Sequence, residues 1–151
     1  MRTIILSMIN KMTDKEKIAY EIAYKAHKGQ YDKAGVEYIN HPLTVASYCK
    51  TEDERIVALL HDVVEDTNVT LDDLSKIFDK EIIDALRLLS HTDDTPYLEY
   101  VARIKENNLA KAVKIADLTH NMDMSRFKNP TKWDYDRVEN KYKPAMELLR
   151  K

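Results

Sequence analysis

Apolar residues recur along this chain at the three- and four-residue spacing of an amphipathic helix. The clearest run places on one helical face Ile56, Leu59, Leu60, Val63 and Val64. Thr51 and Glu54 precede this run in the order of a capping box, which predicts that the helix begins there. No stretch shows the alternation of apolar and polar residues that is typical of a strand. The pattern therefore predicts an all-α protein.

Further helices are predicted on both sides of this run. After Thr13, an N-cap residue, we expect a helix over residues 14–27, and beyond a loop at 29–40 a second one opens at His41-Pro42. Thr70 is expected to cap a short helix that ends near Phe78. The remaining helices are expected over 82–89, 96–104, 109–124 and 131–151, the last of them bent or broken near Pro144.

The composition fits one folded domain. The chain has 151 residues, of which 44% are hydrophobic and 33% are charged, as in ordinary globular proteins. Two glycines are too few for a fold built on tight hairpins. We assign residues 13–151 to a single compact helical domain, and we treat residues 1–12 as a tail or as a region where the start of the protein is ambiguous.

The charge balance excludes some classes of partner. Lys and Arg number 24 and Asp and Glu 26, a formal net charge of −2, so coating nucleic acid or an anionic membrane is not expected as the main role. The single cysteine, Cys49, fits a reducing compartment, and the apolar stretch 4–9 is too short to span a bilayer. We expect a cytoplasmic protein that binds neither nucleic acid nor membrane, and we leave its oligomeric state open.

One helical segment carries an unusual density of titratable groups. His61, Asp62, Glu65 and Asp66 lie within six positions of an otherwise apolar stretch. His61 and Glu65, like Asp62 and Asp66, are four residues apart and so share a helical face. A solvated face is the plain alternative, because runs of charge usually face water.

A second cluster favours a metal site over a solvated face. Asp117 and Asn121 again lie one turn apart among apolar residues, and His41 stands at a predicted helix start. Together with His61-Asp62 these positions offer two imidazoles and two carboxylates. Such a mixed nitrogen and oxygen set suits Mn²⁺, Fe²⁺ or another borderline divalent ion, provided that His41 and Asp117 converge where the helix that carries His61 and Asp62 meets other helices.

The order His41, His61-Asp62, Asp117 resembles the H…HD…D motif of the HD-domain phosphohydrolases, an all-α superfamily of metal-dependent enzymes. Over about residues 20–125 the chain is similar, more narrowly, to the hydrolase half of the RelA/SpoT family, which also occurs alone as small alarmone hydrolases. The segments that carry this resemblance are His27-Lys28-Gly29-Gln30, Lys33-x-Gly35, Tyr38-Ile39-x-His41-Pro42-Leu43, the run from Ala58 to Thr67, and Lys114-x-Ala116-Asp117-x-x-His120-Asn121-Met122. No part resembles the synthetase domain of that family.

The resemblance implies a fold, a reaction and a set of site residues. The fold would be an HD-domain helical bundle, and the reaction the release of pyrophosphate from a guanosine 3′,5′-bis(diphosphate)-type nucleotide. One Mn²⁺, or another divalent ion, would be held by His41, His61, Asp62 and Asp117. Glu65 and Asp66 would position and activate the attacking water, and the substrate would contact Lys33, Tyr38 and Asn121.

Two positions depart from the family pattern. Asp32 stands where the family usually has an arginine that supports the guanine base, and Leu118 replaces another common arginine. These departures leave open a different nucleotide or phosphoester as substrate. A non-catalytic nucleotide-binding module is a further alternative. His27 and His120 are expected to be buried structural histidines, and His91 a surface residue.

Overall fold

The structure is a computed structural model that describes the backbone of residues 2–151 and the side chains of residues 6–151. Its α-helices are α1 (Arg2–Lys11), α2 (Asp14–Ala26), α3 (Asn40–Ser47), α4 (Glu52–Leu60), α5 (Val63–Asp66), α6 (Leu71–Ser75), α7 (Lys80–Leu89), α8 (Tyr97–Lys105), α9 (Asn108–Asn121), α10 (Lys132–Arg137) and α11 (Lys143–Arg150). A 3₁₀-helix covers Met124–Arg126, and a π-helix covers Val138–Tyr142. Residues 2–151 form no β-strand beyond one isolated bridge between Tyr31 and Glu37, which confirms the all-α prediction.

Helix α4 is the centre of the bundle. It packs against α2, α3, α7 and α9, and all five residues from Ile56 to Leu60 are fully buried. A helix that is apolar on every side must be surrounded by other elements. The buried face of this helix is therefore wider than the sequence predicts, because Val57 and Ala58 are buried as well as Ile56, Leu59 and Leu60. The end of this central helix carries His61.

The helical run is interrupted at His61 and Asp62. Helix α4 ends at Leu60 and α5 begins at Val63, so the prediction of one continuous helix through Asp66 is wrong. The physical reason is a side-chain hydrogen bond, because His61 Nδ1 donates to the carbonyl oxygen of Ala58. In a regular helix that oxygen would accept from the backbone of Asp62.

Threonine caps define several helix starts, as the sequence predicts. Thr13 and Thr70 each form a complete capping box, with Glu16 and Asp73 respectively. Thr51 forms only half of one. Its hydroxyl accepts from the backbone N–H of Glu54 at 3.2 Å, but the Glu54 carboxylate accepts from the N–H of Lys50 instead.

The C-terminal helical segment is irregular where the sequence predicts a bend. Helix α10 runs into the π-helix Val138–Tyr142, and α11 begins at once with Pro144 in its first turn. Proline lacks the N–H that would bond back into the preceding turn, so the regular ladder cannot continue through it. The predicted disruption near Pro144 is confirmed.

The first twelve residues are partly helical. Helix α1 contributes Met8 to the core, and Met12 packs beside it. The division of the chain at residue 12 stays a prediction. No helix within residues 2–151 combines the length and the apolar character that crossing a membrane requires.

Candidate active site

Three side chains from three helices meet beside the end of α4. His41 lies in the first turn of α3, His61 follows the last residue of α4, and Asp117 lies in α9. Asp117 Oδ1 is 2.9 Å from Nε2 of His41 and 3.3 Å from Nε2 of His61. The three donor atoms lie within 4.8 Å of one another, and all three residues are buried. The convergence that a metal site requires is therefore present.

The Asp62 carboxylate lies next to the cluster of His41, His61 and Asp117. Its Oδ2 lies 3.1 Å from Nε2 of His61 and 3.6 Å from Nε2 of His41. The hydroxyl of Tyr38 donates to the same oxygen at 2.6 Å. Asp62 is not one of the three residues whose donor atoms are all mutually close, but it contacts both imidazoles.

The second nitrogen of each imidazole is engaged on the far side of the ring. His61 Nδ1 donates to the Ala58 carbonyl, which leaves Nε2 as the atom that can bind a metal. His41 Nδ1 lies 2.7 Å from Nδ1 of His120. Burial, reinforced by the charges of His41 and Arg126, lowers the pKa of His120 to about 4. A neutral His120 can accept a hydrogen bond from the Nδ1–H group of His41. The lone pair of His41 Nε2 is then available to bind a metal ion.

Asp117 is held by donors on both carboxylate oxygens. Lys114 Nζ donates to Oδ2 at 2.9 Å, and Asn121 Nδ2 donates to Oδ1 at 3.2 Å. Burial opposes the charged form of Asp117, but Lys114 and the two histidines outweigh it and hold its pKa well below the usual range. The carboxylate is therefore ionised.

The donor set fits a divalent metal ion. Two imidazole nitrogens with free lone pairs and two ionised carboxylates, Asp62 and Asp117, surround one buried point. Without a cation, the carboxylates also raise the pKa of His61 well above 6.5, although burial acts in the opposite direction. In the absence of a metal ion, a proton on His61 therefore provides the positive charge that balances Asp62 and Asp117. Nitrogen and oxygen ligands in this mixture suit manganese, iron or zinc.

A cleft of about 270 Å³ opens over the centre and contains one of the two predicted catalytic residues. His41, Asp62, Asp117 and Glu65 all line it. Burial, followed by the charges of Asp62 and Asp66, raises the pKa of Glu65. Asp66 is not among the lining residues, although burial and Asp62 raise the pKa of its carboxyl as well.

The rest of the cleft lining comes from residues that the sequence did not place there. These are His91, Tyr97, Tyr100, Lys114, Arg137, Lys141 and Tyr142. His91 stacks on Tyr100 with a centroid separation of 4.5 Å, so its assignment to the surface is wrong. Arg137 is the last residue of α10, and Lys141 lies in the π-helix that follows it. Only Lys114, inside the motif of Asp117, carried a signal in the sequence.

The three predicted substrate contacts occupy different places. Tyr38 and Asn121 line the cleft and bond to Asp62 and Asp117 respectively. Lys33 lies farther out, where its ammonium group is 3.3 Å from Asp134 Oδ1 and lies over the ring of Trp133. Their role as substrate contacts stays a prediction.

Asp32 faces its own loop. Its Oδ1 accepts from the N–H groups of Ala34 and Val36 at 2.8 and 3.0 Å, an Asx-type turn. Gly35 follows with a φ of 79°, which favours glycine. The carboxylate thus shapes the loop that carries Lys33.

The two histidines expected to be structural are both hydrogen-bonded. His27 is buried, and its Nδ1 lies 2.9 Å from Oε1 of Gln30. The amide of Gln30 in turn donates to the carbonyl oxygen of Asp66. His27 therefore supports the segment that carries the acidic pair, while His120 supports His41.

An all-α bundle with a buried His, His-Asp and Asp cluster at the end of its central helix defines the HD class of metal-binding folds. Residues 19–122 match the family model of the HD domain, and the chain belongs to this family.

Proteins of known activity are similar over most of the chain. The guanosine-3′,5′-bis(diphosphate) 3′-pyrophosphohydrolase MESH1 of Danio rerio is 30% identical over 142 residues, which cover 85% of this chain and 78% of the relative. A solved structure described as a metazoan ortholog of SpoT that hydrolyzes ppGpp superposes with a TM-score of 0.74 at 25% identity, covering 91% of this chain and 86% of the other.

Bacterial relatives are much longer than the matched region. The bifunctional (p)ppGpp synthase/hydrolase SpoT of Escherichia coli is 34% identical over 119 residues, which cover 69% of this chain and 17% of SpoT. The chain thus spans about a sixth of the length of the bacterial relatives it matches.

Proposed function

We propose that this protein is a metal-dependent hydrolase that removes pyrophosphate from the 3′ position of guanosine 3′,5′-bis(diphosphate). The observation that carries the proposal is the convergence of His41, His61 and Asp117 within 4.8 Å beneath a cleft that also contains Glu65. The relatives that match most of the chain are pyrophosphohydrolases of this nucleotide, which supports the choice of substrate.

The residues proposed to hold the ion are His41, His61, Asp62 and Asp117. Their mixed donor set supports Mn²⁺ as the working ion, with other borderline divalent ions as competitors. When bound, such an ion polarises a phosphoryl oxygen and lowers the pKa of water. His120 and Ala58 fix the two imidazoles, while Lys114 and Tyr38 fix the two carboxylates. The chain thus holds all four ligands in position before an ion arrives.

Glu65 is the proposed proton acceptor. It lines the cleft together with Asp62 and Asp117. Burial and the neighbouring carboxylates raise its pKa, which moves the pKa of this base toward neutral pH, where an acceptor works best. Asp66 is proposed to assist by holding the water in place, and Gln30 anchors its backbone.

The cationic wall is proposed to receive the phosphates. Lys114, Arg137 and Lys141 line the same cleft as Glu65. Lys141 Nζ lies 4.6 Å from the ring centroid of Tyr97, and the pKa of Lys141 is lowered by burial and by Arg137. A trianionic leaving group gains from such charges in a partly buried site. Asn121 is proposed to contact the nucleotide beside Asp117.

Retention of both the metal set and Glu65 argues against a non-catalytic binding module, because binding alone needs no proton acceptor. A different nucleotide or phosphoester was favoured by Asp32 in the slot of a base-supporting arginine. The Asp32 carboxylate, however, is engaged by Ala34 and Val36, so its charge is directed at its own loop. The arginine itself is still absent at position 32, so a different nucleotide or phosphoester stays the second candidate substrate.

The proposal is tested by incubating the protein with Mn²⁺ and a panel of nucleotides, and by identifying the products chromatographically. We expect GDP and pyrophosphate from guanosine 3′,5′-bis(diphosphate), and no turnover by Asp117→Asn. Faster turnover of an ordinary nucleoside triphosphate or of a monophosphate ester than of the bis-diphosphate would overturn the substrate assignment.

A further inference from the structure

Two further cavities lie next to the active-site cleft. The next one, of about 170 Å³, shares Asn121, Arg137 and Tyr142 with the cleft. A third, of about 610 Å³, in turn shares Lys33 and Arg126 with the second. We call the second the connecting cavity and the third the outer chamber. The connecting cavity thus shares lining residues with both the cleft and the outer chamber, the arrangement that an elongated ligand reaching from Asp117 to the outer chamber requires.

The outer chamber is lined by more positive than negative charge. Its cationic residues are Lys33, Arg126 and Lys128, and among the residues that line it Asp134 is the one carboxylate. That carboxylate is already engaged by Lys33 at 3.3 Å and by the N–H of Thr131 at 2.8 Å. Arg126 and Lys128 make no ion pair with any of the described side chains. Their charges are therefore free to attract an anion.

Arg126 is the most specific feature of this chamber. Its Nε is buried and has no hydrogen-bond acceptor among the described residues. The guanidinium carbon lies 4.9 Å from the ring centroid of Phe127, and this contact restricts the orientation of the group. A buried donor without an acceptor is costly, and guanidinium matches the geometry of a phosphate with two parallel hydrogen bonds. Arg126 is thus ready to receive a phosphate oxygen.

Resting on the proposed function, we infer that the outer chamber binds the second, non-reacting diphosphate of the substrate through Arg126 and Lys128. The 3′-diphosphate then lies at the metal centre, the nucleoside spans the connecting cavity beside Asn121, and the 5′-diphosphate enters the outer chamber. The site thereby selects nucleotides that carry a diphosphate at both ends. No covalent step takes place in the chamber.

The inference separates two substrates that differ only in the distal group. Guanosine 3′,5′-bis(diphosphate) reaches the chamber, whereas guanosine 3′-diphosphate with a free 5′-hydroxyl does not. In wild-type protein we expect a lower KM for the bis-diphosphate. The double variant Arg126→Gln/Lys128→Gln should raise that KM by about tenfold and change the KM of the 5′-hydroxyl compound by less than about twofold.

The comparison contains its own control for folding, because a misfolded variant loses turnover of both compounds together. Lys132→Gln is the matched control, since Lys132 is an exposed cation on α10 that lines none of these cavities. It should leave both KM values unchanged. A KM ratio that is the same in the double variant as in the wild type would overturn the inference.

A second measurement keeps the inference distinct from the proposed function. Binding of both compounds to chelator-treated protein is measured by calorimetry, where no turnover is required. If the wild type hydrolyses neither compound, the proposed function fails, yet a preference for the bis-diphosphate that disappears in the double variant would still support the chamber. Equal affinity of the two compounds for the wild type would overturn it.

Discussion

Lys114 Nζ lies 2.9 Å from Oδ2 of Asp117, while Oδ1 of the same carboxylate faces His41 at 2.9 Å. One carboxylate thus joins a buried ammonium group to the proposed metal centre. Both side chains of the Lys114 pair are almost completely buried, so little water screens the interaction. Lys114 holds the carboxylate in one orientation and balances its charge.

Replacing Lys114 by methionine should therefore destabilise the protein. Removing one partner of a buried pair leaves the other charge uncompensated, and the free energy of unfolding should fall by about 3 kcal/mol. Lys111→Met, on the same helix but in no ion pair with a described residue, should change it by less than about 0.5 kcal/mol. Chemical unfolding of chelator-treated protein measures both. A loss for Lys114→Met no larger than for Lys111→Met would show that the pair contributes nothing.

The pH dependence of the metal-free fold should follow His61. Its pKa lies well above 6.5, because Asp62 and Asp117 outweigh the effect of burial. The stabilisation by protonated His61 is therefore fully present below about pH 6.5, the unfolded value, and is lost as the pH rises through the folded value. The pKa of Asp117 is lowered, so its contribution is present above about pH 3.8 and is lost on acidification.

Chelator-treated protein should consequently unfold at a higher temperature near pH 5.5 than near pH 8.5, by about 2–4 °C per kcal/mol for a chain of this size. Added Mn²⁺ should reverse the trend, since a metal binds only deprotonated imidazole. In His61→Gln the pH effect in the absence of metal should largely disappear. If it persists at full size, another group is responsible.

Glu65→Gln separates chemistry from metal binding. The amide keeps the size of the side chain but accepts no proton, so turnover should fall by about 10²–10⁴-fold. Metal content should stay at the wild-type level, because Glu65 belongs to the cleft and not to the His41, His61 and Asp117 group. Glu21→Gln, at an exposed position of α2, is the control. Loss of the metal together with activity would make Glu65 a ligand.

Two substitutions of Asp32 distinguish its effect on the loop conformation from the effect of its charge on the substrate. Asp32→Asn keeps the oxygen that accepts from Ala34 and Val36, and we expect KM for the guanine substrate to change by less than about twofold. Asp32→Ala removes the acceptor, releases the turn before Lys33 and should raise KM by several-fold. If Asp32→Asn alone changed KM as much as Asp32→Ala, the charge of the carboxylate would be acting on the substrate.

The sequence predicts most of the helix starts, and its expectation of a metal-binding set rests on a different kind of signal. Threonine caps and apolar spacing are local signals, and they predict the starts at Thr13, Thr51 and Thr70. The expected set of His41, His61, Asp62 and Asp117 rests on the resemblance of their order to the motif of the HD-domain family, and their role as metal ligands stays a prediction. The break at His61 could not be foreseen, since it depends on which way the imidazole turns toward Ala58.

The cationic wall was missed for a geometric reason. Acidic residues are interspersed among the basic residues of the C-terminal segment, a pattern typical of a solvated face. Residues 138–142 instead form a π-helix, whose wider turn shifts the direction of every side chain that follows. Lys141 lies within this π-helix and lines the cleft, and no pattern in the sequence marks that local change of period.

The most direct test of this account is a titration of metal-free protein with Mn²⁺, in which bound metal and hydrolysis of guanosine 3′,5′-bis(diphosphate) are measured on the same samples. We predict that pyrophosphate release rises in proportion to bound metal and saturates at about one ion per chain, as a single set of four ligands requires. His61→Ala should neither bind the ion nor release pyrophosphate. Undiminished hydrolysis by protein shown to be free of metal would contradict the account.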